Sequence, residues 1–448
     1  MPFPKDFLWG VATASYQIEG AVDAGGRGPS IWDTFSHTPG KVENGETGDV
    51  ACDHYHRYAE DVDLMAELGI KAYRFSMAWP RLFPDGAGQL NRKGLDFYQR
   101  LVDRLLERDI TPAITLYHWD LPQALQDRGG WANRDTVERF ADYAEAAFRA
   151  LGDRVPMWIT HNEPWVAAFL GNLLGIHAPG LTDLQTALDV SHHLLLSHGR
   201  AVERYHSLGL DGKIGITLSL SATYPKTDTD ADREVARGSD GYTNRWFLDP
   251  VLKARYPEDM VERFTRAGAH PLAAVREGDL AVTSAPTDFL GVNYYSRRII
   301  TASDEEFGWA VQQHAEPGMH TTGVGWEVFP EGLYDLLTNL HEIYPGTPFY
   351  ITENGMALDD RIGPDGAVDD PRRIDYLCGH FAAAQRAIEA GVDLRGYFVW
   401  SFMDNFEWAM SYRPRFGLVY VDYPTQRRIP KSSARWYSRV IGANAIHE

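Results

Sequence analysis

Cysteine is scarce: the 448 residues include two, Cys52 and Cys378. Two such distant thiols cannot build a disulfide framework, and no Cys-x-x-Cys pair is present to suggest a redox or zinc site. The expectation is a pair of ordinary thiols in a reducing compartment. No apolar run is long enough to span a bilayer. The opening residues, MPFPKDFLWG, lack the basic and apolar regions of a secretory leader. No Asn-x-Ser/Thr acceptor occurs either, so a cytoplasmic protein is expected. Positive charge is also in deficit, with 43 Lys and Arg against 62 Asp and Glu and a net charge of −19. An acidic surface offers no counter-charge to nucleic acid or to an anionic membrane, which argues against both as partners. Glycines occur in DAGGRGPS, but not in the G-x-G-x-x-G spacing that cradles a dinucleotide. His192, His193 and His198 share one helical stretch without the i, i+4 pair of a zinc helix, and His54 and His56 would diverge on a helix. No metal and no cofactor are implied.

Aromatic residues are plentiful, at 12% with 13 Trp and 22 Tyr. They pack cores, and they also stack on the apolar C–H faces of sugar rings. The chain has a regular rhythm of a short apolar run, a turn and a longer amphipathic stretch. Eight runs read as strands: 7–14, 71–79, 111–119, 155–164, 213–220, 288–296, 348–355 and 394–402. Helical patterns separate them. Tyr58, Val62, Met65 and Leu68 fall at helical spacing before Gly69, and a long pattern covers 183–208. Asp135 and Glu138 resemble a capping box ahead of a helix that Gly152 closes. Continuous apolar strands alternating with helices predict a parallel sheet covered on both faces. Eight units fit a single closed (β/α)8 barrel domain over residues 1–448, with an open doubly wound sheet as the runner-up. Segments 35–50 and 303–327 read as long loops on the active face.

Barrel enzymes carry their chemistry at the C-terminal ends of the strands. In chain order those ends supply Gln17; Arg74 and Ser76; His118, Trp119 and Asp120; His161, Asn162 and Glu163; Asn293, Tyr294 and Tyr295; Glu353 and Asn354; and Trp400, followed by Glu407 and Trp408. The fifth strand gives only Ser219 and Ser221. Two carboxylates, hydroxyl-binding polar groups and indoles gathered at one end of a barrel match the needs of glycoside hydrolysis.

These residues also carry a family resemblance. THNEP (160–164) resembles the acid/base motif of family 1 glycoside hydrolases, the β-glucosidase family, and ITENG (351–355) is similar to its nucleophile motif. FLWGVATASYQIEGA, YRFSMAWPRL, YHWDLPQAL, GVNYY and GYFVWSFMDNFEWAMSYRPRFGLVYVD match in the family's order, over nearly the whole chain. The resemblance implies a retaining mechanism with Glu353 as nucleophile and Glu163 as acid and then base. Arg74 and Tyr295 would keep Glu353 ionised. Asn162 would bind the sugar 2-hydroxyl. Gln17, His118 and Glu407 would hold other hydroxyls, with Asn293 beside them and indole N–H donors from Trp119 and Trp408. Trp400 would form the stacking floor, and Trp326 and Trp165 would meet the leaving group. The implied substrate is a small β-glycoside such as cellobiose. Transglycosylation, or a β-galactosidase or β-fucosidase preference, is the alternative. Glu407 would disfavour 6-phosphorylated sugars, although Arg413 and Arg415 lie near it in sequence. His161 stands where many relatives carry an apolar residue, next to Glu163.

Overall fold

The computed structural model describes residues 2–303, 309–311 and 321–446. Each of the eight expected runs forms a strand. They are β1 (Leu8–Ala12), β2 (Ala72–Ser76), β3 (Thr111–Tyr117), β4 (Met157–Asn162), β5 (Lys213–Ser219), β6 (Phe289–Asn293), β7 (Phe349–Asn354) and β8 (Leu394–Trp400). All neighbours pair in parallel, in sequence order, and β8 closes on β1. The open-sheet alternative is thereby excluded. The strands are buried along nearly their whole length, because helices cover them outside and side chains fill them inside. That is why they read as continuous apolar runs rather than alternating ones.

The helices return the chain to the start of each next strand. His54–Glu67 ends at Gly69, whose φ of +75° suits a residue without Cβ. Leu184–Ser207 starts at Asp183, which accepts a hydrogen bond from the Thr186 amide at 2.7 Å. The helix Asp135–Leu151 differs from expectation. Asp135 is its first helical residue, neither Asp135 nor Glu138 makes a capping bond, and Asn133 Oδ1 instead accepts from the Asp135 amide at 3.0 Å. Asp135 and Glu138 therefore sit in the first turn, where negative charge is favoured without forming a capping box. The C-terminal helix Ser432–Ala443 packs back on the barrel, where Tyr437 donates to the Gly10 carbonyl at 2.9 Å.

The stretch 35–50 begins inside the helix Ile31–His37 and holds a short helical turn at Glu43–Gly45. Of 303–327, residues 304–308 and 312–320 lie outside the described residues. Thr321 and Glu327 bridge across a turn. Cys52 is buried and donates to the Asp404 carbonyl, and neither cysteine is in a disulfide.

Two register shifts bear on function. Between Ile159 and Asn162, β4 advances one residue more than β5. Between Ile351 and Glu353, β7 advances one more than β6. Such bulges re-aim side chains next to active sites. Here they let Thr352 and Glu353, consecutive in sequence, both point into the barrel. Thr352 bonds Asn293 and Thr217 there, and Glu353 bonds Arg74.

Candidate active site

The strand ends open into a cavity of about 390 Å³, lined among others by His118, Glu163, Tyr295, Glu353, Trp400 and Glu407. Its base is a hydrogen-bonded polar layer. Arg74, fully buried on β2, donates to Glu353 Oε1 at 2.7 Å and to Asn162 Oδ1 at 2.6 Å. Asn293, at the end of β6, donates to Glu163 Oε1 at 2.8 Å and to Asn162 Oδ1 at 3.1 Å. Tyr295 donates to Glu353 Oε2 at 2.8 Å. The two glutamates thus belong to one network with different partners. Glu353 receives a guanidinium and a phenol, whereas Glu163 receives an amide.

The electrostatics follow from that difference. Burial, then the charge of Glu353, pushes Glu163 up to about 8. Burial raises Glu353 too, but Arg74 and the Tyr295 hydrogen bond pull it back. Charged donors favour an ionised partner, so the negative charge of the pair belongs on Glu353.

The hydroxyl-binding candidates converge on the same cavity. Asn162 Oδ1 is taken by two donors, so its Nδ2 faces His118 Nε2, at 3.0 Å. That assigns the His118 proton to Nδ1, which is buried without a partner among the described residues. Burial and Arg74 hold His118 well below its usual value, and hence neutral. Gln17 Nε2 is engaged by Asn405, Phe406 and Glu407, leaving Oε1 as an unfilled acceptor. Trp400 is 3% exposed and lines the cavity with Trp408. Trp326 and Trp165 line its outer part. Trp119 departs from expectation, because its indole N–H donates to the Asn162 carbonyl at 2.8 Å. It offers the cavity its ring and no donor.

Glu407 differs as well. Burial and the charges of Glu353 and Glu163 push it up to about 8. Its protonated form is thereby favoured, which weakens like-charge repulsion as its means of disfavouring a phosphate. The nearby cations are occupied. Arg413 pairs with Glu43, and Arg415 pairs with Asp404. His161 has no electrostatic hold on Glu163. It stacks on Phe140, bonds Ser197 and is kept neutral by burial. The other histidines each have a local partner: His192 with Tyr256 and Asp279, His193 with the Trp131 carbonyl, His198 with Thr160.

Sequence reasoning named Ser219 at a strand end without giving it a role, and passed over several other cavity residues. Ser219 faces the Glu163 carboxyl and favours its charged form. His177, Met410 and Phe416 line the walls from loops, where no strand rhythm marks them. Three site residues, Trp119 (φ +76°), Glu163 (+48°) and Trp408 (+53°), occupy the left-handed region. For bulky side chains that is strained backbone, costing about 1–3 kcal/mol each.

The family is settled by a match along the chain. The model of glycosyl hydrolase family 1 fits residues 1–446. The chain belongs to that family. It is 52% identical to Beta-glucosidase A of Acetivibrio thermocellus, covering 99% of both chains. Among solved structures it resembles the AHE enzyme of Alicyclobacillus herbarius, with TM-score 0.96, 53% identity, and 99% and 98% of the two chains covered. It also resembles the family 1 β-glucosidase of Thermotoga maritima, with TM-score 0.95, 48% identity, and 100% and 99% covered. Among the described residues no group of His, Cys, Asp or Glu is arranged to hold a metal ion, and no helix is long and apolar enough to cross a membrane.

Proposed function

We propose that this family 1 enzyme is a retaining β-glucosidase. It releases terminal β-D-glucosyl residues from β-glucosides and short oligosaccharides, and residues 1–448 act as one catalytic barrel. The observation that carries the reading is the pair Glu163 and Glu353, in one network but with opposite electrostatic partners.

The reaction follows from those environments. Glu353, ionised by Arg74 and Tyr295, attacks the anomeric carbon. The glycosidic C–O bond breaks as Glu163 hands its proton to the leaving oxygen. A glycosyl ester forms and the charge on Glu353 disappears. That charge was a main cause of the high Glu163 value, so Glu163 becomes more acidic once the ester exists. It then takes a proton from water, which attacks the ester from the face the leaving group vacated. Two inversions retain the β configuration.

The second N–H of Asn162 is available to the 2-hydroxyl, a contact that strengthens in the transition state. Gln17 Oε1, His118 Nδ1–H and Glu407 offer an acceptor, a donor and a carboxyl to the remaining hydroxyls. Trp400 provides the apolar floor.

The test is kcat/KM on nitrophenyl β-glucoside, β-galactoside, β-fucoside and β-glucoside 6-phosphate, with NMR of the first sugar released. Fast turnover of the glucoside with β-glucose as first product is expected. Activity confined to the 6-phosphate, or α-glucose as first product, overturns the reading.

A further inference from the structure

A second groove, of about 380 Å³, continues from the catalytic cavity and shares Trp165, Ser219, Tyr295 and Trp326 with it. It also contains Asn293, the donor to Glu163. The groove therefore starts at the residue proposed to protonate the leaving oxygen, on the side open to the departing half of the substrate.

Its charge is unusual for a chain of net −19. Among the described lining residues there are two guanidiniums, Arg297 and Arg298, and one carboxylate, Glu327. Arg297 and Glu327 neutralise each other in a two-point pair at 2.8 and 2.9 Å. Arg298 is left over. It is half-buried, its Nε is shut off from solvent, and its guanidinium has no hydrogen bond or ion pair among the described residues. Burial lowers it from the usual guanidinium value, against an opposing effect of the Tyr242 phenol. Its place is fixed by the strand Arg298–Ala302, where the Arg298 amide bonds the Ala222 carbonyl. A half-buried guanidinium with no ion-pair partner among the described residues suits a carboxylate.

We propose that Arg298 selects β-glucosides whose leaving group carries a carboxylate, such as a β-1,4-glucosyl aldonate. The proposal rests on the β-glucosidase reading. A disaccharide and its aldonate share the glucosyl half and the linkage, and differ at the far end of the leaving group. They therefore isolate the contribution of Arg298.

The experiment compares kcat/KM for cellobiose and for glucosyl-β-1,4-gluconate in the unaltered enzyme, Arg298→Gln and Arg298→Lys. Nitrophenyl β-glucoside serves as the check that each variant is folded. The expected result is a drop of about tenfold in the aldonate-to-cellobiose ratio in Arg298→Gln, consistent with one charge-assisted contact. The loss should lie in KM, Arg298→Lys should fall between, and cellobiose turnover should change less than about twofold. In the unaltered enzyme, 0.5 M salt (roughly a Debye length of 4 Å) should reduce the ratio. An unchanged ratio in Arg298→Gln, with both substrates hydrolysed, overturns the proposal. Hydrolysis of neither disaccharide by the unaltered enzyme overturns this proposal, and the β-glucosidase reading falls with it only when nitrophenyl β-glucoside is not hydrolysed either.

Discussion

Glu163 and Glu353 are chemically identical, and their neighbours set them apart. Replacing Glu163 by Gln removes the acid but keeps the shape. Glucosides with poor leaving groups should slow by about 10²–10⁴-fold and activated dinitrophenyl glucosides far less, as steady-state rates will show. Equal losses on both would remove Glu163 from the acid role. In the unaltered enzyme kcat/KM should fall above about pH 8, where free Glu163 loses its proton. It should fall on the acid side as Glu353 gains one. Tyr295→Phe removes a hydrogen bond that favours charged Glu353. Its acid limb should move to higher pH while the alkaline limb stays. Fixed limbs in a pH–rate series on that variant would contradict the assignment.

The element that mounts Glu353 explains why its motif ends in glycine. A Cβ on Gly355 would lie 1.6 Å from the Trp400 carbonyl oxygen, a backbone atom that cannot rotate away. Asn354 is held by Tyr294, Tyr376 and Tyr397. Gly355→Ala should therefore push β7 and β8 apart, destabilise the fold by at least about 1–3 kcal/mol in chemical denaturation, and reduce activity in the folded fraction. A variant of native stability would show that the turn yields. The strands, their order and most strand-end residues were legible in the sequence, because parallel strands buried on both faces leave uninterrupted apolar runs. The bulges in β4 and β7 were not. Alternation would send Thr352 and Glu353 to opposite faces, and only the pairings with β6 and β8 show the added residue. Nor could sequence show that the Trp119 N–H is committed to a carbonyl or that burial pushes Glu407 toward its protonated form. Both depend on contacts between distant segments.

Across the whole molecule, the site and the fold pull stability in opposite directions with pH. The folded values of Glu163 and Glu407 lie near 8, well above the ordinary carboxylate range. A raised carboxyl contributes stability that is fully present below the unfolded value and is lost as pH rises through the folded one. Glu407→Gln has no such proton to lose. Its Tm should match the unaltered enzyme near pH 4 and exceed it by about 1–3 °C near pH 8, in calorimetric scans, at the expense of activity. The opposite sign holds for Asp360 behind the β8 loop, which Arg373 and Lys431 hold below the usual carboxylate range despite its burial; Lys431 bonds both Asp360 and Asp404. Lys431→Met should cost about 1–3 kcal/mol in equilibrium unfolding, because Asp360 and Asp404 lose their shared cation and keep only Arg373 and Arg415. Finally, consider the backbone at Trp119, Glu163 and Trp408. An engineer choosing residues to suit local conformation alone would write glycine or asparagine at all three positions. The redesigned chain would be more relaxed, but it would have deleted the proton donor and two walls of the pocket. In this barrel, the places where residue and backbone disagree mark out part of the site, and a stabilisation campaign should leave them untouched.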